Sequence, residues 1–355
     1  MMQAGSAAPV VFICRDAAVD PVFEEIAREL ALRGIATRRG PLQKPGRIGE
    51  FPAQTCPALF GDVDVAMFTS RWRCTRELLQ FAPRLRGVVN PTIGLETVDI
   101  EACTDRGIAV GHGAIPENFE SMAEASVMLM LNLMYNLRAS EEVLQGKRPK
   151  PLPGAPTALA RMVKGSTVGL IGFGRIAKAV ARRLAPFEAR LLACSPSLNP
   201  GCSHDGVQAV NLDTLLRESD LVGVFVAITD SSRHIIDSRA LSLMKPSAYL
   251  VNVSRGEAID QPALVRALTA KEIAGAALDT FEVEPLPLDS PLRPLDNVIL
   301  TQHMVGHTRE ALAALVPAAV ENIVRILKGQ PPLHWKNPQL QPAWLGKPVA
   351  HFQLA

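Results

Sequence analysis

The chain lacks the cysteine patterns of metal-binding and redox proteins. Its 355 residues include six cysteines, and no two of them form a Cys-x-x-Cys pair or join histidines at the spacing of a zinc site. We therefore predict no metal site. Scattered cysteines of this kind are typical of reduced, mostly buried thiols in a cytosolic protein.

An excess of charge and long apolar runs are also missing. Lys and Arg number 37 against 35 Asp and Glu, for a net charge of +2, which argues against a nucleic-acid or anionic-membrane surface. The most apolar run, Val127–Met134, is too short to span a bilayer. The first residues show no basic start followed by a long apolar core, so no signal peptide is indicated. We expect a soluble, cytoplasmic protein that binds neither nucleic acid nor membranes.

What the chain does have is length and a regular α/β rhythm. With 355 residues, 48% hydrophobic and 20% charged, it is too long for one ordinary core, and two domains are expected. Short apolar strands alternating with helices indicate parallel α/β domains. Strands are expected at 10–13, 35–37, 64–68, 85–89, 108–110, 167–171, 190–194, 207–210, 221–226, 248–253, 273–278 and 298–300. Helices are expected at 21–32, 75–83, 98–106, 121–137, 176–184, 212–218, 238–244, 261–270 and 308–328, with N-caps at Thr75, Asp260 and Thr308.

Four segments stand apart from this rhythm. Gly40–Pro57 is rich in Pro and Gly and is predicted to be a loop, and Gly146–Pro156 is predicted to be an exposed connection. Gln330–Ala355 shows no clear period. Ser121–Leu137 is apolar nearly all round, so it is predicted to be a buried helix.

A strand, a glycine turn, a helix and a second strand follow one another between Thr167 and Cys194. In the turn, Gly172 permits a tight bend, Gly174 lets the backbone approach phosphates, and Ala177 lets the helix pack closely on the strand. The first-turn amides of the helix then face an anion. An ordinary strand-to-helix turn is the alternative, but the flanking elements favour binding of a dinucleotide pyrophosphate.

Polar side chains follow three later strands at their carboxyl ends. Arg255 follows the first of them, Asp279 the second, with Glu282 and Glu284 just beyond, and His303 the third. Because ligands of open parallel sheets bind outside the carboxyl ends of the strands, we expect these residues at the edge that carries the pyrophosphate turn.

This set of side chains suits the reduction of a keto acid. An Arg can bind a carboxylate with two charge-assisted hydrogen bonds, and a His can exchange a proton with the substrate oxygen. A Glu beside the His favours the protonated imidazole. Taken singly, a capping arginine, a solvated acidic loop and a structural histidine are the alternatives, but their joint placement favours an active site.

The chain resembles the D-isomer-specific 2-hydroxyacid dehydrogenases, the family that includes phosphoglycerate, glyoxylate and D-lactate dehydrogenases. The resemblance extends from about Asp64 to Leu327. It is carried by GIAVGHGAIPENFESMAEA (107–125), VGLIGFGRIA (168–177), MKPSAYLVNVSRGEAID (244–260), ALDTFEVEP (277–285) and NVILTQHMVGHT (297–308). It implies an α/β fold of two Rossmann-like domains with doubly wound parallel sheets, an active site in the interdomain cleft, and a homodimer. The implied substrate domain comprises residues 1–118 and 329–355, and the NAD(P)-binding domain residues 119–328.

The resemblance also implies roles for single residues. Arg255 would bind the substrate carboxylate, Glu284 would tune the histidine, and His303 would donate the proton. Asp279 and Glu284 keep the spacing that the family shows, so Glu284 is preferred to Glu282. The predicted substrate contacts are Arg255, Ser70 and the backbone amides of Thr92, Ile93 and Gly94. The predicted cofactor contacts are Gly172, Gly174, Arg175, Ile176, Ser195, Ala227, Ser232, Val253, Asp279, His303 and Gly306.

Several residues depart from the family pattern. Ser195 stands where an Asp normally holds the adenosine ribose, and no Arg or Lys follows until Arg217. The carboxylate that favours NAD and the basic clamp that favours NADP are therefore both missing, and NAD or NADP stays open as the cofactor. Gln302 replaces the Pro before the histidine, Ala227 replaces another Pro, and Thr280 replaces a Val.

The loop Thr69–Arg73 should set the size of the substrate. Arg71 or Arg73 could bind a second anionic group, such as a phosphate or second carboxylate. The alternative is that both are solvated loop arginines and that Trp72 packs on the surface. The sequence does not decide between them.

The sequence leaves three functions open. The first is an enzyme that interconverts a small-molecule 2-keto acid and a D-2-hydroxy acid by hydride transfer with NAD(P). The second is a dinucleotide-sensing binding protein, since some relatives of the family act as transcriptional corepressors. The third is a catalytically weak relative, which Ser195 and Gln302 keep open. An intact set of Arg255, Glu284 and His303 favours the enzyme.

Overall fold

The computed structural model describes residues 8–44, 47–152 and 159–349. The chain divides into two compact units: one contains the residues up to Asn118 together with those from Thr308 onward, and the other is Phe119–His307. Within the described ranges, no helix is long and apolar enough to cross a membrane.

The first unit is a parallel sheet of five strands in the order β2-β1-β3-β4-β5. This order, with helices between the strands, confirms the predicted α/β architecture. Its strands are β1 (Val10–Asp16), β2 (Ala36–Gln43), β3 (Val65–Met67), β4 (Gly87–Asn90) and β5 (Ala109–His112). Its helices are α1 (Asp20–Ala31), α2 (Cys56–Phe60), α3 (Arg76–Leu79), α4 (Ile100–Asp105) and the final helix α11 (Arg309–Leu327).

The final helix differs from the prediction in the unit to which it belongs. The family resemblance implied a dinucleotide-binding domain that extends to residue 328, whereas α11 groups with the first unit. Its buried face, with Ile323 and Leu327, joins the core cluster that contains Phe23 and Ile26 of α1. Burial of this apolar face explains why α11 belongs to the first unit. The local sequence of the helix does not indicate which element it packs against.

Two other segments of the first unit are more ordered than predicted. The segment from Gly40 was expected to be a loop, but β2 continues to Gln43, which pairs with Asp16 of β1. Strand β2 lies at the edge of the sheet, where a proline such as Pro41 costs no ladder hydrogen bond. In the tail, the buried Asn337 accepts from the Val110 amide at 2.9 Å, so this aperiodic segment is fixed to β5 by side-chain bonds.

The second unit is an eight-stranded sheet in the order β13-β12-β11-β10-β6-β7-β9-β8. Its strands are β6 (Thr167–Ile171), β7 (Arg190–Cys194), β8 (Ser203–His204), β9 (Val207–Ala209), β10 (Leu221–Val224), β11 (Tyr249–Asn252), β12 (Gly275–Leu278) and β13 (Val298–Leu300). Its helices are α5 (Pro116–Tyr135, beginning just before the unit), α6 (Leu137–Leu144), α7 (Arg175–Leu184), α8 (Leu212–Glu218), α9 (Ser238–Leu243) and α10 (Gln261–Thr269).

Most elements of the second unit match the sequence analysis. The predicted cap Asp260 accepts the expected amide hydrogen bond from Ala263, as Thr308 does from Ala311 at the start of α11 in the first unit. Seven strands were expected, and the described part of this unit has eight, because the two-residue antiparallel strand β8 carries no periodic signal. The helix predicted at 121–137 is found as part of α5 and is buried on one side, whereas Met128 is 44% exposed.

The strand order places a switch point beside β6. Strand β7 lies on one side of β6 and β10 on the other: the chain runs outward from β6 through β7 to β8 and β9, and then crosses back past β6 to form β10. In doubly wound sheets ligands bind at this point, outside the carboxyl ends of the strands. The predicted glycine turn directly follows β6 and therefore lies there.

Candidate active site

The turn after β6 has the backbone that the glycine pattern predicted. Gly172 adopts a φ of +86°, and a Cβ at this position would lie 2.6 Å from the carbonyl oxygen of Phe225. Only glycine combines this left-handed backbone with so close an approach. The tight turn therefore depends on Gly172.

The amino end of α7 is shaped to receive an anion. Gly174 is the N-cap, no side chain caps the helix, and a Cβ at Gly174 would meet no atom within 4 Å. The guanidinium of Arg175 lies 4.9 Å from the centre of the Phe119 ring. Open space in front of uncapped amides and a neighbouring cation fit the pyrophosphate of a nicotinamide dinucleotide. Bound there, the cofactor would be held by the turn amides and Arg175.

The end of β7 carries hydroxyls instead of charges. Ser195 Oγ lies 3.2 Å from Ser197 Oγ, and no acidic residue stands at the ribose position. Arg217, the first cation after this turn, pairs with Asp213 at 3.8 Å. The turn therefore offers hydrogen-bond donors and acceptors without a charge of either sign.

The structure brings Glu284 and His303 together. The imidazole Nδ1 lies 2.9 Å from Glu284 Oε1 and 2.8 Å from Oε2, and the side chains are 34% and 18% exposed. A carboxylate at Nδ1 fixes the ring orientation and stabilises the imidazolium. The ring nitrogen Nε2 is then the one that can exchange a proton with a substrate oxygen.

Asp279 fixes the backbone turn that carries His303. Its Oδ1 accepts hydrogen bonds from Thr301 Oγ1 at 2.7 Å and from the amides of Met304 at 3.2 Å and Val305 at 3.4 Å. Asp279 is 2% exposed, and His303 between these partners has a φ of +57°. The histidine is therefore held in a sparsely populated backbone conformation by bonds on both sides of it.

The Arg255 turn packs directly against the loop that carries Glu284. A Cβ at Gly256 would lie 1.9 Å from the carbonyl carbon of Phe281, so only glycine fits between the two backbones. Arg255 is half-buried, and its Nη1 donates to the Ser254 carbonyl at 2.8 Å. Arginine, glutamate and histidine thus lie on adjoining turns of one sheet edge.

The remaining predicted cofactor residues also lie in the second unit. Ser232 is buried, and its hydroxyl donates to the Ala227 carbonyl at 2.6 Å, so it shapes the loop after β10. Val253 is buried directly after β11, Ile176 is half-buried in the first turn of α7, and the Gly306 carbonyl accepts from Ser121 Oγ at 2.8 Å. Their contacts with a cofactor stay predictions.

In the first unit, the turn after β4 offers two of the three predicted amides. The Thr92 amide donates to Asn90 Oδ1 at 2.9 Å and so already has an acceptor. Among the described residues, the Ile93 and Gly94 amides donate no hydrogen bond. A carboxylate could therefore accept hydrogen bonds from the Ile93 and Gly94 amides, whereas the third predicted amide, that of Thr92, already has an acceptor.

The loop after β3 is anchored more firmly than a solvated loop. Trp72 is 7% exposed and stacks on Phe51 with ring centres 4.2 Å apart, so the alternative in which Trp72 packs on the surface does not hold. Arg73 pairs with Glu50 at 3.3 Å. Ser70 is half-buried in the same loop, and a role for it or for Arg71 in substrate binding stays a prediction.

The loop that carries Glu284 also contributes to a second glutamate–histidine pair, which no pattern in the sequence indicated. Glu282 Oε1 lies 2.9 Å from His234 Nε2 and accepts the Gln261 amide at 3.3 Å. The partners lie far apart in sequence, and only the acidic residue was noticed. Thr280 was noted as a departure, and its buried hydroxyl has no hydrogen-bond partner in the described structure.

A dinucleotide turn and a paired histidine at one sheet edge define an NAD(P)-dependent oxidoreductase. The family profile for the NAD-binding domain of D-isomer specific 2-hydroxyacid dehydrogenases matches residues 127–305. The chain is 36% identical over 266 residues to a glyoxylate reductase of Thermofilum pendens, covering 72% of this chain and 76% of that protein. It is 34% identical over 286 residues to a glyoxylate reductase of Pyrococcus furiosus, covering 80% and 85%. The chain belongs to the D-isomer-specific 2-hydroxyacid dehydrogenase family.

A solved structure agrees with this assignment. The NADPH-dependent glyoxylate/hydroxypyruvate reductase of Sinorhizobium meliloti, in complex with NADP and malonate, is 27% identical with a TM-score of 0.78. The match covers 95% of this chain and 99% of that one. None of these three proteins supports the alternative of a dinucleotide-sensing binding protein.

Proposed function

We propose that this NAD(P)-dependent 2-hydroxyacid dehydrogenase uses His303 as its acid–base group when it interconverts a 2-keto acid and the D-2-hydroxy acid. The bound nicotinamide supplies or accepts the hydride. In the reducing direction His303 donates the proton to the oxygen that becomes the hydroxyl, and in the oxidising direction it accepts that proton. The reaction consumes one reduced cofactor and one proton for each hydroxy acid formed.

The observation that carries this proposal is the contact of both Glu284 oxygens with Nδ1 of His303. The carboxylate stabilises the charged imidazole, which is the form needed for reduction. After the proton has left, the same carboxylate keeps the Nδ1 tautomer and the ring orientation. Glu284 therefore acts through His303 in both directions.

Arg255 is the proposed partner of the substrate carboxylate. A guanidinium matches the two oxygens of a carboxylate with parallel hydrogen bonds, which fixes the direction of the neighbouring keto group. In the first unit, the Ile93 and Gly94 amides are proposed as further carboxylate contacts. Ser70 belongs to the same proposal as a substrate contact.

For the cofactor, we propose that the protein accepts both NADH and NADPH. Ser195 and Ser197 can bond a ribose hydroxyl, and no carboxylate at this turn repels a 2′-phosphate. The Sinorhizobium reductase with NADP bound is consistent with this reading. Ser195→Asp should raise the NADH/NADPH ratio of kcat/KM by about tenfold or more, because the new carboxylate repels the phosphate. An unchanged NADH/NADPH ratio would show that the adenosine ribose does not bind beside Ser195.

A homodimer and a cytoplasmic location complete the proposal. Helix α6 has no buried residue, and Leu137 and Leu144 are 61% and 90% exposed, as expected for a face that a second copy covers. Leu144→Glu should halve the mass measured by sedimentation. The matched control is Leu288→Glu, at a position equally exposed at 90% but outside this helix.

The test is a titration with NADH and with NADPH, followed by nicotinamide fluorescence. Each complex is then challenged with glyoxylate, hydroxypyruvate, pyruvate and phenylpyruvate. Oxidation of either cofactor by one of these acids is expected, and the preferred acid reports on the loop after β3. Tight cofactor binding with no turnover on the whole panel would favour the catalytically weak relative instead.

A further inference from the structure

The Arg255 turn is shaped by a buried asparagine at the end of β11. Asn252 is 0% exposed, and its Oδ1 accepts both the Ser254 amide at 3.0 Å and the Ser254 hydroxyl at 2.8 Å. Its Nδ2 donates to the carbonyl oxygen of Arg255 at 2.8 Å. One side chain therefore fixes the backbone on both sides of the proposed carboxylate contact.

A similar arrangement occurs in the first unit, at the end of β4, where the bonded carbonyl lies four residues after the asparagine instead of three. Asn90 is also 0% exposed, and its Oδ1 accepts the Thr92 amide and the Thr92 hydroxyl, each at 2.9 Å. Its Nδ2 donates to the carbonyl oxygen of Gly94 at 2.6 Å. The sequences Asn90-Pro-Thr and Asn252-Val-Ser share an asparagine with a hydroxyl residue two positions later.

Only asparagine can make this set of bonds at these positions. Its amide offers an acceptor oxygen and a donor nitrogen in one short group, whereas Asp has no donor and would turn a carboxylate oxygen toward a backbone carbonyl. Losing either the acceptor oxygen or the donor nitrogen would leave a buried polar group without a hydrogen-bond partner. The turn after each strand therefore depends on this residue type.

We propose that Asn252 and Asn90 are positioning residues that give these two turns their carboxylate-binding shape. Asn252 does so by holding the backbone of Arg255, and Asn90 by holding the backbone of the Ile93 and Gly94 amides. This inference rests on the proposed function, since it assigns Arg255 to the carboxylate of a 2-keto acid. It adds two buried residues that touch neither substrate nor cofactor.

The test compares Asn252→Ala with Asn297→Ala. Asn297 in the same unit also bonds two backbone carbonyls, at 3.2 and 3.3 Å, but lies outside this turn. Asn252→Ala should raise the KM for the keto acid by about tenfold, with kcat and the cofactor Kd changed by less than about threefold. Asn297→Ala should leave that KM unchanged. Equal KM values for the two variants would overturn the inference.

A double variant separates positioning from general damage. If Asn252 acts through Arg255, Asn252→Ala combined with Arg255→Ala should have the same KM as Arg255→Ala alone. Fully additive effects would overturn the inference. Should Asn252→Ala fail to fold, Ser254→Ala removes one bond to Oδ1 and should raise the KM by about threefold. An unchanged KM in that variant would overturn the inference.

The failure of the inference and that of the proposed function give different results. If Arg255→Ala raises the KM and Asn252→Ala does not, the positioning role alone is wrong. If Arg255→Ala leaves the KM of the wild type, the proposed function of Arg255 is wrong and the inference falls with it. Asn90→Ala repeats the comparison in the first unit, where a raised KM is expected. An unchanged KM would overturn the positioning role of Asn90.

Discussion

Two carboxylates on one short loop each bind a histidine, and the two pairs differ in the ring nitrogen that is used. Glu284 contacts Nδ1 of His303 with both oxygens, at 2.8 and 2.9 Å. Glu282 contacts Nε2 of His234 at 2.9 Å with the oxygen that also accepts the Gln261 amide. Both histidines have a positive φ, of 57° and 51°. Neither the distance nor the backbone strain distinguishes the pairs.

The two pairs differ in chemistry because a different ring nitrogen is left without the carboxylate in each. A carboxylate at Nδ1 leaves Nε2, the atom farthest from the main chain, to reach a substrate. A carboxylate at Nε2 leaves only Nδ1, which lies close to the residue's own backbone. Glu282 also bonds the first turn of α10, as expected for a structural junction. A glutamate–histidine pair is therefore an active-site signature only together with its orientation.

The largest effect is expected from the histidines. His303→Ala should lower kcat for keto acid reduction by about 10³-fold, because the proton donor is lost, while cofactor binding measured by fluorescence stays within about twofold. His234→Ala is the matched control and should keep kcat within about threefold. Comparable losses in the two variants would mean that ring orientation does not separate the pairs.

Substitutions of the two glutamates should show the same difference in activity, with smaller effects than those of the histidines. Glu284→Gln should lower kcat/KM by about 10²-fold, since a neutral amide no longer stabilises the imidazolium. Glu282→Gln should change it by less than about threefold, because its partner is not catalytic. Steady-state assays on both variants make the comparison, and a stronger effect of Glu282→Gln would reverse the assignment of the pairs.

Asp220 extends the comparison to a carboxylate without a histidine. Burial alone would raise its pKa, but bonds from the Thr167 amide at 2.9 Å, Lys245 at 3.1 Å and Arg161 at 3.0 Å outweigh burial, so the pKa lies below its ordinary value of 3.8. The stabilisation is present above that value and is lost as the pH falls through the folded-state pKa. Asp220→Asn should cost about 2 kcal/mol of stability at pH 7 and progressively less below pH ~4, measured by urea unfolding. A difference that is constant with pH would mean that the charge is not involved.

Thr280, on the loop of the two glutamates, should give the smallest change. Its buried hydroxyl has no partner, so Thr280→Val removes an unsatisfied polar group at nearly constant volume. A gain of about 1 kcal/mol in the free energy of unfolding is expected, with kcat unchanged. A loss of stability in chemical denaturation would show that the hydroxyl is satisfied in solution.

Local patterns in the sequence were sufficient for much of this structure. The hydrophobic period and the caps located β6, β7, α8 and β13, and the carboxyl ends of successive strands located Arg255, Glu284 and His303. Packing between distant segments could not be read in this way. The grouping of α11 with α1, and the pairing of Glu282 with His234, depend on contacts that no local pattern encodes.

The asparagines show the same limit within the site itself. Asn252 lies inside the motif at 244–260, yet its proposed role follows only from three hydrogen bonds of its side chain. The Thr92 amide was predicted to bind substrate and instead donates to Asn90. Residue type and position can indicate that a turn matters, but not which of its atoms already have partners.

The stereochemistry and stoichiometry of the product test the proposed hydride transfer directly. Phenylpyruvate or hydroxypyruvate would be reduced with the cofactor that the protein oxidises, and the hydroxy acid resolved on a chiral column. We predict the D-isomer alone, with one reduced cofactor consumed for each molecule formed. An L-isomer, a racemate, or cofactor oxidation without hydroxy acid would contradict it.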